Sequence, residues 1–72
     1  MNDLNAQLLT AHEEEDSNAL ITLYSLAAAQ ASDIDTACFY LTHAYIFALE
    51  LGDSRAGNLR AQLVSHGRET PA

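Results

Sequence analysis

The stretch DIDTACFYLTHAYIFALEL, residues 33–51, decides the fold of this chain. Its apolar side chains recur every three or four positions, which is the spacing of neighbours on one face of an α-helix. That face comprises Ile34, Ala37, Cys38, Leu41, Ala44, Tyr45, Ala48 and Leu49. A second apolar set covers much of the remaining circumference, namely Phe39, Tyr40, Ile46, Phe47 and Leu51. Because a helix this apolar must be covered from more than one direction, we expect other helices, or a second molecule, to pack around it.

The composition of the 72 residues is that of one small helical domain. Hydrophobic residues make up 49% of the chain, with 3 glycines and 1 proline, unlike the polar composition of disordered chains. Alanine and leucine are abundant and runs of β-branched residues are almost absent, which favours helices over strands. We therefore predict an all-α fold, a small bundle of about four helices, in a single domain over residues 1–67 with a disordered tail at residues 68–72.

The charge of the chain limits its partners. The formal net charge is −7, lysine is absent, and the only basic side chains besides histidine are Arg55, Arg60 and Arg68. Nucleic acids and anionic membranes are recognised by positive charge, so neither is an expected partner. A basic protein, or a basic patch on one, would suit the acidic surface.

The single cysteine and the N-terminus indicate a cytoplasmic protein. Cys38 cannot form a disulfide within the chain and lies on the apolar face of the central helix, which is typical of a reducing compartment. The N-terminus has no basic region, and no apolar run is long enough for a signal peptide or a membrane span.

Three further helices are predicted around the central one, over residues 3–15, 17–31 and 54–65. Asp or Ser residues stand at each predicted start, where their side chains can accept hydrogen bonds from the first turn. Gly52 follows the central helix, where a left-handed residue is expected. The connection before the central helix is so short that the second and third helices must form an antiparallel hairpin.

Two junctions in the chain resemble one another. Residues 11–19 (AHEEEDSNA) align with residues 48–56 (ALELGDSRA) at an offset of 37 residues, and Leu4 then falls on Leu41 and Leu26 on Leu63. The similarity is concentrated where helices end and begin. A period in this range is a signature of stacked helical hairpins.

A family resemblance follows from the same residues. The pattern Asp35-x-Ala37…Ala44-Tyr45-x-x-Ala48-Leu49-Glu50-Leu51-Gly52-Asp53…Ala61-x-Leu63 resembles the second helix of a tetratricopeptide repeat and the start of the next unit. It is most similar to the longer repeat whose second helix ends in A-L-x-L-G-D. The resemblance covers residues 4–65 and implies that the second and third helices form one hairpin, with an interaction surface as its role.

The predicted binding surface lies on the central helix. It comprises Phe39, Tyr40, His43, Ile46, Phe47 and Leu51. The fourth helix has few apolar side chains with which to cover this surface, so we predict an interface, although burial against the first or fourth helix remains open.

No catalytic, cofactor-binding or metal-binding set is predicted. Helical spacing places His12 and Glu15 on one face, where they could together offer a nitrogen and an oxygen to a metal. A solvated acidic helix end is the favoured explanation, because no second pair of ligands with that spacing is evident elsewhere. Cys38 lies among apolar residues, where a thiol is a small core side chain rather than a nucleophile.

We therefore predict a non-enzymatic protein–protein interaction module that forms a homodimer through the central helix. The alternative is a small acidic chaperone or regulatory subunit that binds one protein client. An enzyme would need a pocket with convergent polar groups, which these residues do not supply.

Overall fold

The computed structural model describes residues 3–67, which form four α-helices and include no strand. The helices are α1 (Leu4–Glu13), α2 (Ser17–Gln30), α3 (Ile34–Leu51) and α4 (Arg55–Ser65). The predicted all-α fold is confirmed. The predicted tail, residues 68–72, lies outside the described residues.

Aspartate side chains fix where the helices begin. Asp3, Asp16 and Asp33 cap α1, α2 and α3, and each carboxylate accepts a hydrogen bond from a backbone N–H of the first turn at 3.0–3.1 Å. These bonds satisfy N–H groups that have no partner within the helix. At α4 the same role passes to Asp53, which accepts from the N–H of Arg55 at 2.8 Å.

The turn between α3 and α4 is closed by two backbone hydrogen bonds. The N–H of Asp53 donates to the carbonyl of Ala48 at 2.9 Å, and the N–H of Gly52 donates to the carbonyl of Leu49 at 3.1 Å. This pair of bonds is the Schellman motif, which requires a left-handed residue after the helix. Gly52 supplies it with φ of 65°, as predicted.

The turn between α1 and α2 has the same backbone geometry. The N–H of Asp16 donates to the carbonyl of Ala11 at 2.9 Å, and the N–H of Glu15 donates to the carbonyl of His12 at 3.2 Å. Here the left-handed residue is Glu15, with φ of 52°. The prediction that the first helix reaches residue 15 is therefore wrong, because α1 ends at Glu13 and Glu15 has already left the helix.

Each helix packs on its neighbours in sequence. Within residues 3–67, α1 packs on α2, α2 on α3 and α3 on α4, while no other pair of helices brings its backbones close together. The Cα atoms fill a flat volume of 36 × 29 × 13 Å. The predicted small bundle of about four helices is therefore confirmed, and within it each helix packs on its neighbours in sequence.

Helix α2 is buried on two sides. Leu20 and Leu23 form a small core with Ala11 of α1, while Ile21 and Ala28 belong to the main core with α3 and α4. Ile21 is 0% exposed, so α2 is covered on the side towards α3 as fully as on the side towards α1. Helix α2 therefore has a packed helix on either side.

The predicted apolar face of α3 is only partly covered. Its buried members are Cys38, Leu41, Ala44 and Ala48. Ile34 and Leu49, which belong to the same face by spacing, remain 49% and 56% exposed. Only α2 and α4 pack on α3 within the described chain, so the flank that turns away from both of them stays in solvent.

Candidate interaction surface

Tyr24 of α2 is the centre of an aromatic cluster that includes part of the predicted surface. Its ring stacks on His43 at 5.0 Å and on Phe47 at 6.1 Å between ring centroids, and it lies 6.1 Å from Tyr40. Aromatic pairs at such distances contribute about 0.5–1.5 kcal/mol each beyond their buried area. Tyr40, His43 and Phe47 are consequently half-buried and pack inside the molecule.

His12 connects α1 to this cluster. Its Nε2 lies 2.8 Å from the hydroxyl oxygen of Tyr24, and its ring meets Phe47 edge-on at 6.0 Å. Burial, and to a lesser degree the neighbouring Tyr40, raises the pKa of Tyr24. The phenol therefore stays neutral and can donate its proton to the imidazole. Through these contacts α1 reaches α3, although the backbones of the two helices do not approach each other.

His43 joins the cluster to the outside of α3. Its Nδ1 lies 2.9 Å from the carbonyl oxygen of Phe39, and its ring lies 4.5 Å from the Phe39 ring. A carbonyl can only accept, so Nδ1 carries a proton and donates to it. The sequence did not predict this bond.

Three large apolar side chains lie on the outside of α3. Phe39, Ile46 and Leu49 are 58%, 48% and 56% exposed. Together with the exposed Thr42 they are spaced by three, four and three residues, which places them in one row along the helix. We call these four residues the outer strip of α3. Leu49 was not in the predicted surface, although the same spacing could have identified it.

The structure therefore divides the six predicted surface residues. Phe39 and Ile46 belong to the outer strip, whereas Tyr40, His43 and Phe47 belong to the cluster around Tyr24. Leu51 is 50% exposed but lies one turn after Phe47, away from the outer strip. The six residues therefore differ in exposure, although Phe39 of the outer strip contacts both Tyr40 and His43 of the cluster.

The outer strip lies on a helix that contains neither lysine nor arginine. Helix α3 carries Asp35 near its start and Glu50 near its end. Directly before the helix, hydrogen bonds from Thr36 lower the pKa of the capping Asp33, so that carboxylate is also charged at neutral pH. A partner with positive charge near its own apolar face would be complementary to this surface.

Arg55 forms a separate polar site that stabilises the fold. It donates to Asp53 through Nε and Nη2 at 2.9 Å each, to the Thr22 hydroxyl at 2.9 Å, and to the Asn18 side-chain oxygen. The guanidinium lowers the pKa of Asp53 to about 2. These bonds connect the start of α4 to α2, although the backbones of these two helices do not come close together.

The other candidate residues do not converge. Cys38 is 3% exposed within the main core. Helical spacing predicted that His12 and Glu15 share one face, but Glu15 lies in the left-handed turn beyond α1. In the part of the chain that the structure describes, no three side chains of the metal-binding types come together.

Comparisons of the chain with protein-family models, with curated proteins and with solved structures gave no match. Among residues 3–67, no helix combines the length and the apolar character needed to cross a membrane. The surface itself is therefore the basis for a functional assignment.

Proposed function

We propose that this chain is a non-enzymatic protein–protein interaction module that forms a homodimer through the outer strip of α3. The observation that carries the proposal is the row formed by Phe39, Ile46 and Leu49, each about half exposed on one side of one helix. Monomeric proteins seldom expose a contiguous apolar patch of large side chains, and such patches mark interaction sites. The α2–α3 hairpin would serve as a tetratricopeptide-like scaffold that presents this row.

A second copy is the simplest partner for the outer strip. In a symmetric dimer the same row from both chains would be covered at once, so every exposed apolar residue of the strip would gain a contact. A 72-residue chain also has a small core, and self-association is a common way for small domains to bury more apolar area.

A specific observation favours the second candidate, an acidic chaperone or regulatory subunit. Two copies paired through α3 would bring Asp35 and Glu50 of both chains towards one another with no lysine or arginine on either helix. Like charges across an interface are unfavourable. A client helix with an apolar row and basic flanks would cover the same strip without that repulsion.

The first experiment is light scattering on a size-exclusion column, over a range of protein concentrations at low and high salt. We expect a dimer of the wild-type protein, strengthened by salt because salt screens the repulsion between the acidic chains. At low protein concentration, Ile46→Ser should lower the mass to that of a monomer. Leu26→Ser is the matched control, because Leu26 on α2 is 47% exposed against 48% for Ile46.

Two results would contradict the homodimer. One is a wild-type protein that is monomeric at every concentration, and the other is an Ile46→Ser protein that keeps the mass of the wild type. A monomeric wild type that binds a basic amphipathic helical peptide, and loses that binding with Ile46→Ser but not with Leu26→Ser, would favour the client-binding alternative.

We assign no catalytic residue, cofactor or metal to the chain. We place the protein in the cytoplasm, where the buried thiol of Cys38 would remain reduced.

A further inference from the structure

The two similar junctions in the sequence are 37 residues apart. The same offset relates a groove on α1 and α2 to a packed surface on α3 and α4. The groove has a volume of about 360 Å³, and its lining includes Ala6, Gln7, Thr10, Ala11, Ala19 and Leu23. Adding 37 to Gln7, Thr10 and Ala11 gives Ala44, Phe47 and Ala48. Those three residues pack against α2, since Phe47 stacks on Tyr24 while Ala44 and Ala48 share the main core with Ile21. The groove is therefore the counterpart of the surface that binds α2.

The helix that corresponds to α2 is α4. Moving α2 (Ser17–Gln30) by 37 residues gives residues 54–67, which contain α4 (Arg55–Ser65). The α2 residues that face α3, Ile21, Tyr24 and Ala28, correspond to Asn58, Ala61 and Ser65. These three residues of α4 are exposed and small, so they would allow a second helix pair to approach closely.

Charge favours the same pairing. Helix α4 begins at Arg55 and contains no acidic residue, whereas residues 13–16 beside the groove are Glu-Glu-Glu-Asp. In the structure, Asn18 at the start of α2 contacts Arg55 at the α3–α4 turn. By the same correspondence, the start of α4 from a second copy would lie beside the acidic α1–α2 turn. The positive end of the α4 helix dipole would face carboxylates there, and so would Arg55, whose guanidinium is already paired with Asp53 of its own chain.

We propose that copies of this chain also associate head to tail, with α4 of one copy lying in the α1–α2 groove of the next. The two surfaces are different, so the contact is heterologous, and each added copy presents a new free groove or a new free α4. Growth therefore continues with concentration instead of ending at two chains. The contact shares no residue with the outer strip of α3 and does not depend on the homodimer.

The test uses Ile46→Ser as the background, so that contacts through the outer strip are removed. We expect the mean mass of this protein, measured by light scattering, to rise more than twofold as concentration increases. Salt should reverse the rise, because the contact joins opposite charges.

Two blocking variants make the test specific. Ala6→Arg obstructs the groove and Ala61→Arg obstructs α4, and both alanines are exposed, so neither change disturbs the core. Added to the background, each variant alone should remain monomeric. An equal mixture should form dimers and nothing larger, because one free groove then meets one free α4.

Circular dichroism of each variant would confirm that the helices are retained. The inference is overturned if the background protein is monomeric at every concentration, or if the mixture is no heavier than its two components. Neither result bears on the homodimer, which is judged by comparing wild type with Ile46→Ser at low concentration.

Discussion

The two halves of the molecule are built on the same plan but from different side chains. The α1–α2 turn and the α3–α4 turn share their hydrogen bonds, their capping aspartate and a buried alanine, Ala11 or Ala48, one turn before the helix end. At the left-handed position the first turn has Glu15 and the second has Gly52. The two turns therefore have the same backbone geometry, although glutamate is less favourable than glycine at the left-handed position.

The halves also differ in the charges beside each turn. In the second half, Arg55 neutralises Asp53 and reaches across to α2. In the first half, the corresponding position is Asn18, and four acidic residues precede it without a basic neighbour in sequence. The charged residues of the α3–α4 turn thus bind within the molecule, whereas the acidic residues of the α1–α2 turn remain available to a partner.

The largest expected difference between the halves concerns Leu63 and Leu26, which are 37 residues apart. Leu63 is 2% exposed and Leu26 is 47% exposed. Leu63→Ala should lower the free energy of unfolding by about 2–5 kcal/mol, because it leaves a cavity in the main core. Leu26→Ala should change it by about 0.5 kcal/mol or less. Urea denaturation measures both, and equal losses would contradict the packing described for α2 and α4.

A smaller effect is expected at the left-handed residues. Gly52→Ala should destabilise the protein by about 1–2 kcal/mol, because only glycine adopts this conformation without strain. A Cβ there would meet no atom within 4 Å, so strain alone determines the loss. Glu15→Gly should act in the opposite direction and stabilise the protein by about 0.5–1 kcal/mol. Two changes of the same sign in urea midpoints would refute the equivalence of the turns.

The smallest expected effect is on the stability of the protein at acidic pH. Because Arg55 holds the pKa of Asp53 at about 2 in the folded protein, against about 4 in an unfolded chain, the carboxylate favours the folded state. Its contribution is complete above pH about 4 and is lost as the pH falls through about 2. We expect the stability difference between wild type and Asp53→Asn to shrink over that range in urea titrations. Arg55→Gln should show the same trend, and a constant difference for both variants would contradict the ion pair.

Local signals account for the features that the sequence predicted well. The aspartate caps and Gly52 depend on residues within one turn of each other, so the helices and their order could be predicted. The burial of Ile21 and the exposure of Leu49 could not be predicted. Each depends on which side of its own helix a neighbouring helix packs against. The cluster around Tyr24 was missed for the same reason, since it joins residues from three helices.

The candidate surface shows the same limit. The sequence predicted two apolar sets on the central helix, and the second set, together with His43, was treated as one surface. The direction of α2 decides that Tyr40 and Phe47 turn inwards while Phe39 and Ile46 turn outwards. The spacing along α3 is enough to separate these two groups. It does not show which group another helix covers.

Packing between neighbours in sequence also has a kinetic consequence. Contacts that join adjacent helices close only short loops, so the chain has a low contact order, and helical proteins of this kind fold in microseconds to milliseconds. Helices α1 and α4 each have a single neighbour in the described chain, whereas α2 and α3 have two. Amide protons of α1 and α4 should therefore exchange with solvent through local opening. Those at the α2–α3 contact should exchange only when the whole protein unfolds.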